Sequence, residues 1–388
     1  MLKEQQILRI PGPTPIPPSV QRAMSQQMIG HRDQDTKELI EQIKPKLKPI
    51  FGTEEEVMII AGSGTAALET AVVNTVKPGD EVLVIITGSF GDRFAKICEA
   101  YEITTHRLEI EWGDAADPDE VKNFLENHSS IKAVFATYCE TSTGVLNPVD
   151  ALAETVHNHS EALFIVDGVS CLGAVEAKMD AWGIDLLVTG SQKAMMLPPG
   201  LAFIAASKRA WKVINQNQQP RFYLDMKKYR DNLDNDSTPF TPPISLLFGL
   251  EEALKHIHEE GLPEVFSRHQ LMMHMVRAGF LEHHIPLLTT DKAASPTVTA
   301  MQPEDFKADD LRAILKKEFG LSIAGGQNHL KGKIFRIGHM GYCSPADILQ
   351  TISLIEIGLS KIGEKIELGK GVQAAQKLYM NYSLSEVQ

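Results

Sequence analysis

The chain has 388 residues, 43% hydrophobic and 23% charged, an ordinary globular composition that argues against disorder or a fibre. Lys and Arg total 38 against 50 Asp and Glu, a net charge of −12, so the basic footprint of a sequence-independent nucleic-acid binder is missing. No apolar run approaches the roughly 18 residues of a membrane span, neither MLKEQQILRIPGPTP nor the terminal SEVQ reads as a targeting signal, and a cytoplasmic protein is expected.

At about 150 residues per domain, two to three domains are expected. Leu39, Ile40, Ile43, Leu47 and Ile50 recur at helical spacing over 35–50. Asp35 and Glu38 stand as a capping pair there, and Pro45 predicts a kink. VMIIA (57–61) reads as a short buried strand, after which GSGT opens a helix to about Val76. Strand 81–87, helix 90–101, strand 103–109, helix 117–128, strand 131–138 and helix 148–159 continue the alternation. Strands over 162–167, 185–190 and 201–206 follow. Apolar strands alternating with amphipathic helices predict an α/β fold whose largely parallel sheet is covered on both faces. Ligands collect at the carboxyl ends of such strands. Residues 212–243 are polar and rich in Pro, Asn and Asp, and read as a long irregular excursion. A helix over 244–260 leads into a smaller α/β region with strands PTVTAMQP (296–303) and KIFRIGHM (333–340) and helices 306–319 and 345–361.

Cys98, Cys139, Cys171 and Cys343 form no Cys-x-x-Cys pair, and three of them sit in apolar segments, so buried reduced thiols are expected. The pairs His157/His159 and His256/His258 lie on predicted helices, where that spacing turns the rings apart; no metal site is expected.

Three strand ends carry unusual residues. Gly62-Ser63-Gly64-Thr65 follows a strand and opens a helix, the position where free N–H groups and the helix dipole cradle an anion. A plain tight turn is the other reading. Gly62, Gly64 and Ala67 also fit the loose dinucleotide form G-x-G-x-x-A, but the next strand ends in Thr87-Gly88 without the carboxylate that would hold a ribose. Asp167 ends the apolar strand 162–166; such a carboxylate either meets a cation or donors, or caps the next segment. Lys193 closes the strand 185–190 and precedes Ala-Met-Met-Leu-Pro-Pro-Gly, so it is expected to be desolvated, with a lowered pKa and a nucleophilic amine. Cradle, carboxylate and lysine in this order describe a pyridoxal phosphate site. The cradle would hold the phosphate, Lys193 would form the Schiff base and Asp167 would keep the ring nitrogen protonated.

From PGPTPIPPSV through MIGHR, GSGTAALE, ETSTGVLNP, VDGVSCLGA, GSQKAMMLPPG and TPPISL to FRIGHMGY, the sequence resembles the class V aminotransferases, in their alanine–glyoxylate and serine–glyoxylate (serine–pyruvate) branch. The resemblance implies fold type I and a homodimer with the site at the subunit interface. It implies an arm over 1–20 packing on the partner, a large domain over 21–260 and a small domain over 261–388. Ser63, Gly64, Thr65 and Gln192 match phosphate ligands, and Phe90 in GSFG matches the ring-stacking aromatic. Thr141 matches the hydroxyl near the cofactor's phenolic oxygen, Val169 the contact on the far face of the ring, and Thr241 the residue reaching the neighbour's phosphate. Arg336, which by itself reads as a surface charge on an alternating strand, matches through the resemblance the two-pronged clamp for the substrate carboxylate. Gly12 and Gly30 match small residues lining the substrate pocket, and His31 stays open between substrate contact and a helix cap.

The expected activity is transfer of an amino group from a small amino acid, alanine or serine, to glyoxylate or pyruvate. Three rivals stand beside it. An ureidoglycine–glyoxylate transaminase fits the same residues. A cysteine desulfurase would need a mobile cysteine ahead of Arg336, whereas Cys343 follows it. A nicotinamide-dependent dehydrogenase rests on the glycine pattern alone.

Overall fold

Continuous runs of Val, Ile, Leu and Phe, bounded by Gly, Pro and Asp, build a seven-stranded sheet in the computed structural model, which describes residues 6–382. The first five residues of the expected arm and the terminal SEVQ lie outside the described residues. Across the sheet the order is Val57–Gly62, Gly200–Ala206, Leu186–Gly190, Leu163–Asp167, Ile131–Thr137, Glu81–Ile86 and Thr104–Glu109. Gly200–Ala206 runs antiparallel to both neighbours and all other pairs are parallel. Leu163–Asp167 pairs with Leu186–Gly190, Asp167 opposite Val188, so the Asp167 loop and the Ser191-Gln192-Lys193 loop leave from one edge. The helix Gly64–Thr75 packs on Leu186–Gly190 and Gly200–Ala206, which brings its first turn to that same edge.

A four-stranded sheet in the order Ile7–Arg9, Leu321–Gly325, Phe335–Gly338, Val298–Met301 forms the second unit, with its own apolar core of residues such as Met272, Phe280, Leu315, Phe335 and Ile352. Gly261 separates the helices Ile244–Glu260 and Leu262–Leu281, which belong mainly to the two cores in turn. Within the expected arm, Ile7–Arg9 adds a parallel strand to this chain's own small sheet, and Arg9 pairs with Asp347 at the start of the helix Pro345–Lys361.

Several local expectations need correction. The first long helix is Gln34–Phe51, preceded by Asp33, and no side-chain hydrogen bond caps it, so Asp35 and Glu38 do not act as a capping pair. The expected helix runs through Pro45 and on through Pro49, with Leu39, Ile40, Ile43, Leu47, Ile50 and Phe51 all buried along one face. That burial outweighs an internal proline's cost of about 3 kcal/mol. The polar stretch 212–243 is not irregular throughout: Lys208–Gln216 runs into it, and Met226–Leu233 is a helix burying Met226, Tyr229 and Leu233. Leu262–Leu281, Leu321–Gly325 and Lys370–Asn381 are elements with no counterpart in the sequence expectations.

Ser344 opens the helix Pro345–Lys361 with a reciprocal capping box, its hydroxyl meeting the Asp347 amide while Asp347 Oδ2 accepts the Ser344 N–H at 2.9 Å. Ser344→Ala is expected to cost about 1 kcal/mol. A lower urea midpoint with an unchanged slope would show it.

Candidate active site

Lys193 is held from both sides. Thr14 donates through its hydroxyl to the Lys193 carbonyl at 2.9 Å and through its N–H to the Gln192 carbonyl at 3.1 Å. Lys193 Nζ donates to the Pro11 carbonyl. Gly12 sits against the same side chain with φ +126°, and a Cβ there would lie 2.8 Å from Nζ, so only glycine fits. Burial pulls the Lys193 amine down to about 8; Arg336 and Arg93 push the same way while Asp167 opposes them. At neutral pH this amine loses its proton far more readily than an ordinary lysine.

Asp167 ends its strand buried, and a single N–H, from Val169 at 2.8 Å, donates to its Oδ1 among the described residues. Burial pushes its carboxyl up to about 7; the Val169 bond, Lys193 and Arg93 only partly offset that, and Glu140 adds to it. The cradle lies beside it. A Cβ on Gly64 would stand 2.9 Å from Val169 Cγ2, and the Gly64 Cα and N lie 3.3 and 3.4 Å from where Gly190 would carry one. Ser63 precedes the helix without a side-chain capping bond. No acceptor takes the N–H groups of Gly64 and Thr65 among the described residues. The Gln192 side-chain oxygen is buried and lacks a donor. Amide oxygen and nitrogen are interchangeable by rotation, and the turned amide offers an NH₂ to an anion. Arg93 adds a cation, its Nη1 3.3 Å from Thr65 Oγ1 and its guanidinium 4.6 Å from the Phe90 ring centre.

Arg336 is not a surface charge: every residue of Phe335–Gly338 is buried. Its Nη1 donates to the Thr141 carbonyl at 2.7 Å, and its Nε and Nη2 donate to the Gly325 carbonyl at 2.9 and 2.6 Å. No carboxylate pairs with it directly among the described residues. Burial therefore pulls its pKa down to about 10, which the charge of Glu140 opposes. Thr141 shares a hydroxyl hydrogen bond with Ser170. A buried guanidinium held only by carbonyls keeps its charge uncompensated and is suited to an anion.

These residues fit pyridoxal phosphate. The free N–H groups and the cation suit a phosphate, Phe90 and Val169 offer apolar surface to a ring, Asp167 suits a basic ring nitrogen and Lys193 an aldehyde. The structure thus gathers Gly12, Gly64, Thr65, Phe90, Asp167, Val169, Gln192, Lys193 and, through Thr141, Arg336, with Ser63 at the cradle's mouth. Gly30 and Thr241 are exposed, in the turns before Gln34–Phe51 and Ile244–Glu260, and no hydrogen bond joins either to this cluster among the described residues. His31 is half-buried with no side-chain hydrogen bond among the described residues. Sequence reasoning missed the Pro11 carbonyl, Arg93, Glu140 and Ser170. Arg93 carried a signal, lying one helical turn after Phe90, whereas Glu140 and Ser170 only flank the matched Thr141 and Val169.

All four cysteines are free and buried, and burial pushes the Cys139 and Cys343 thiols up to about 11. Among the described residues no group of three or more His, Cys, Asp or Glu is placed to hold a metal ion. No described helix is long and apolar enough to cross a membrane.

The raised Asp167 pKa gives a signed prediction. The folded, cofactor-free protein keeps a proton that the unfolded chain has released above about pH 4. Stability from this group therefore falls as pH rises from about 4 to about 7 and is level above. Cofactor-free Asp167→Asn is expected to gain on the wild type across that window, by up to a few kcal/mol. Urea midpoints measured at each pH decide it; a difference constant from pH 4 to 8 would mean Asp167 ionises there without penalty.

The family model described as Aminotransferase class-V matches residues 8–343. A Synechococcus protein named soluble hydrogenase, small subunit, is 42% identical over 97% of this chain and 99% of its own length. The serine–glyoxylate aminotransferase of Methylorubrum extorquens is 34% identical over 95% of this chain and 94% of its own. Among solved structures, the ureidoglycine–glyoxylate aminotransferase of Bacillus subtilis superposes with a TM-score of 0.92 at 32% identity, covering 98% of this chain and 100% of that one. The nicotinamide reading of the glycine turn falls with these matches, since the turn serves an aminotransferase cradle. With the fold type I architecture and the lysine, carboxylate and cradle in place, the chain belongs to the class V pyridoxal-phosphate-dependent aminotransferases.

Proposed function

We propose that this aminotransferase moves an amino group from alanine or serine to glyoxylate or pyruvate. One observation carries the reading furthest: a buried guanidinium without an anion, Arg336, in the same site as a buried amine of lowered pKa, Lys193. An α-amino acid brings the carboxylate that the first lacks and the amine that displaces the second. Pyridoxal phosphate, when bound, supplies an electron sink for the bond-breaking at the substrate's Cα. Lys193 Nζ would hold the cofactor through its aldehyde, and as a free amine it would be the base for the proton on the substrate's Cα. The Pro11 carbonyl receives the free amine and keeps it in place. Asp167 would hold a proton on the ring nitrogen, the Gly64 and Thr65 amides with Ser63 and Gln192 would bind the phosphate, and Phe90 and Val169 would contact the ring.

The enzyme acts as a homodimer in the cytoplasm. Gly30 and Thr241, exposed in their own chain, complete the partner's pocket and phosphate site respectively. The names of relatives that act on serine with glyoxylate, and on ureidoglycine with glyoxylate, support glyoxylate as acceptor.

A donor panel of alanine, serine, aspartate and ureidoglycine against glyoxylate, pyruvate and 2-oxoglutarate tests the substrates. Alanine or serine with glyoxylate or pyruvate is expected to give the highest kcat/KM; ureidoglycine in first place would replace the reading. Arg336→Lys is expected to lower kcat/KM for alanine about tenfold or more, since lysine cannot reproduce the planar fork. The half-reaction with ethylamine, which has no carboxylate, should barely change. Equal slowing of both would remove Arg336 from the clamp.

A further inference from the structure

The reaction as proposed assigns nothing to Glu140, yet this fully buried carboxylate sits between two of the site's working parts. Its Oε2 accepts the N–H groups of Phe90 at 3.0 Å and Gly91 at 3.1 Å, in the first turn of the helix Ser89–Ala100. Its Oε1 accepts the Ser142 N–H at 3.0 Å and the Ser142 hydroxyl at 2.5 Å. Each donor is a backbone amide or a hydroxyl, so the charge is balanced by a helix amino terminus and hydrogen bonds rather than by an ion pair. Space has been cleared for it, since a Cβ on Gly88 would lie 2.5 Å from Glu140 Cγ. The network continues outward: the Ser89 N–H donates to Ser142 Oγ at 2.9 Å, and Asn328 of the small domain donates to Ser89 Oγ at 3.3 Å. Between Glu140 and Ser142 lies Thr141, whose carbonyl holds Arg336.

A helix cap alone does not require this arrangement. A serine or aspartate at the helix start would satisfy the same amides, whereas a carboxylate buried beside Asp167 makes Asp167 harder to ionise. What Glu140 adds is a rigid link between two segments. Both of its oxygens are engaged, one by the Phe90 segment and one by the Thr141–Ser142 turn, so neither can shift without the other.

We propose that Glu140 is a positioning residue that locks the Phe90 segment and the Thr141–Ser142 turn, whose Thr141 carbonyl holds Arg336, at a fixed spacing. The inference rests on the reading of the Lys193 cluster as a pyridoxal phosphate site. Glutamine has the same size but accepts through one oxygen only, and whichever way its amide turns the NH₂ meets at least one backbone N–H, of Phe90 and Gly91 or of Ser142, that loses its acceptor.

The test compares full-length wild type, Glu140→Gln, Ser142→Ala and a control, Asp185→Asn. Asp185 is also a buried carboxylate, accepting from Phe164 N–H, Ser207 and Arg209, but it precedes the strand Leu186–Gly190 at the end opposite Lys193. Cofactor-free protein is titrated with pyridoxal phosphate, and the visible circular dichroism of the bound cofactor is recorded. Glu140→Gln is expected to weaken cofactor binding at least tenfold and to change the dichroism. It should also lower the ratio of alanine to ethylamine half-reaction rates. Ser142→Ala should move all three in the same direction, by less, and Asp185→Asn should leave them within twofold. If Glu140→Gln also stays within twofold, or Asp185→Asn weakens binding as much, Glu140 is structural only. Should Glu140→Gln fail to fold, Ser142→Ala decides by the same limits. A wild type that binds no pyridoxal phosphate would instead refute the site reading itself.

Discussion

An amine and a carboxylate buried at the ends of two paired strands set the terms for everything around them. Lys193 and Asp167 leave from Leu186–Gly190 and Leu163–Asp167, which pair side by side, and water is largely kept from both. Desolvation is the largest cause that moves each toward its neutral form, and with the neighbouring charges and hydrogen bonds it leaves the amine at about 8 and the carboxyl at about 7. Groups so placed are unfavourable for stability unless a ligand compensates them. A cofactor with an aldehyde for the amine and a basic ring nitrogen for the carboxyl would relieve both at once. Folding cost and catalytic readiness thus have the same origin.

The rest of the chain holds that arrangement still. PGPT packs Thr14 on the Lys193 backbone and Pro11 on its amine. Antiparallel insertion of Gly200–Ala206 between Val57–Gly62 and Leu186–Gly190 fixes the cradle's strand at one strand's remove from the lysine. The small domain contributes Arg336, aimed back at the large domain through the Thr141 carbonyl, and Ile7–Arg9 ties the amino-terminal segment into that domain. A residue list that crosses two domains becomes one site because backbone carbonyls and amides, more than side-chain pairs, make the joins.

Much of this was legible in the sequence, for physical reasons. Strands buried on both faces read as unbroken apolar runs, and the lysine and aspartate stood out because charged groups seldom end such runs. The antiparallel direction of 200–206 was not legible, since a buried run carries no mark of polarity. Met226–Leu233 was hidden because only Met226, Tyr229 and Leu233 of its eight residues are buried, and the others look like a loop. Leu262–Leu281 is apolar on several sides, which blurs helical periodicity. Arg336 needed tertiary information: alternation on a strand says which side chains share a face, not whether the other face is covered. Glu140 was in view within ETSTG, yet four accepted hydrogen bonds leave no trace in spacing.

Lys193, among all the lysines of the chain, is the one proposed to bond covalently to the cofactor. Reconstitution with pyridoxal phosphate, borohydride reduction and peptide mass analysis test this. A phosphopyridoxyl adduct on the peptide carrying Lys193 is expected, with loss of the visible band on reduction. An adduct at a different lysine, or none while the protein still transaminates, would contradict it.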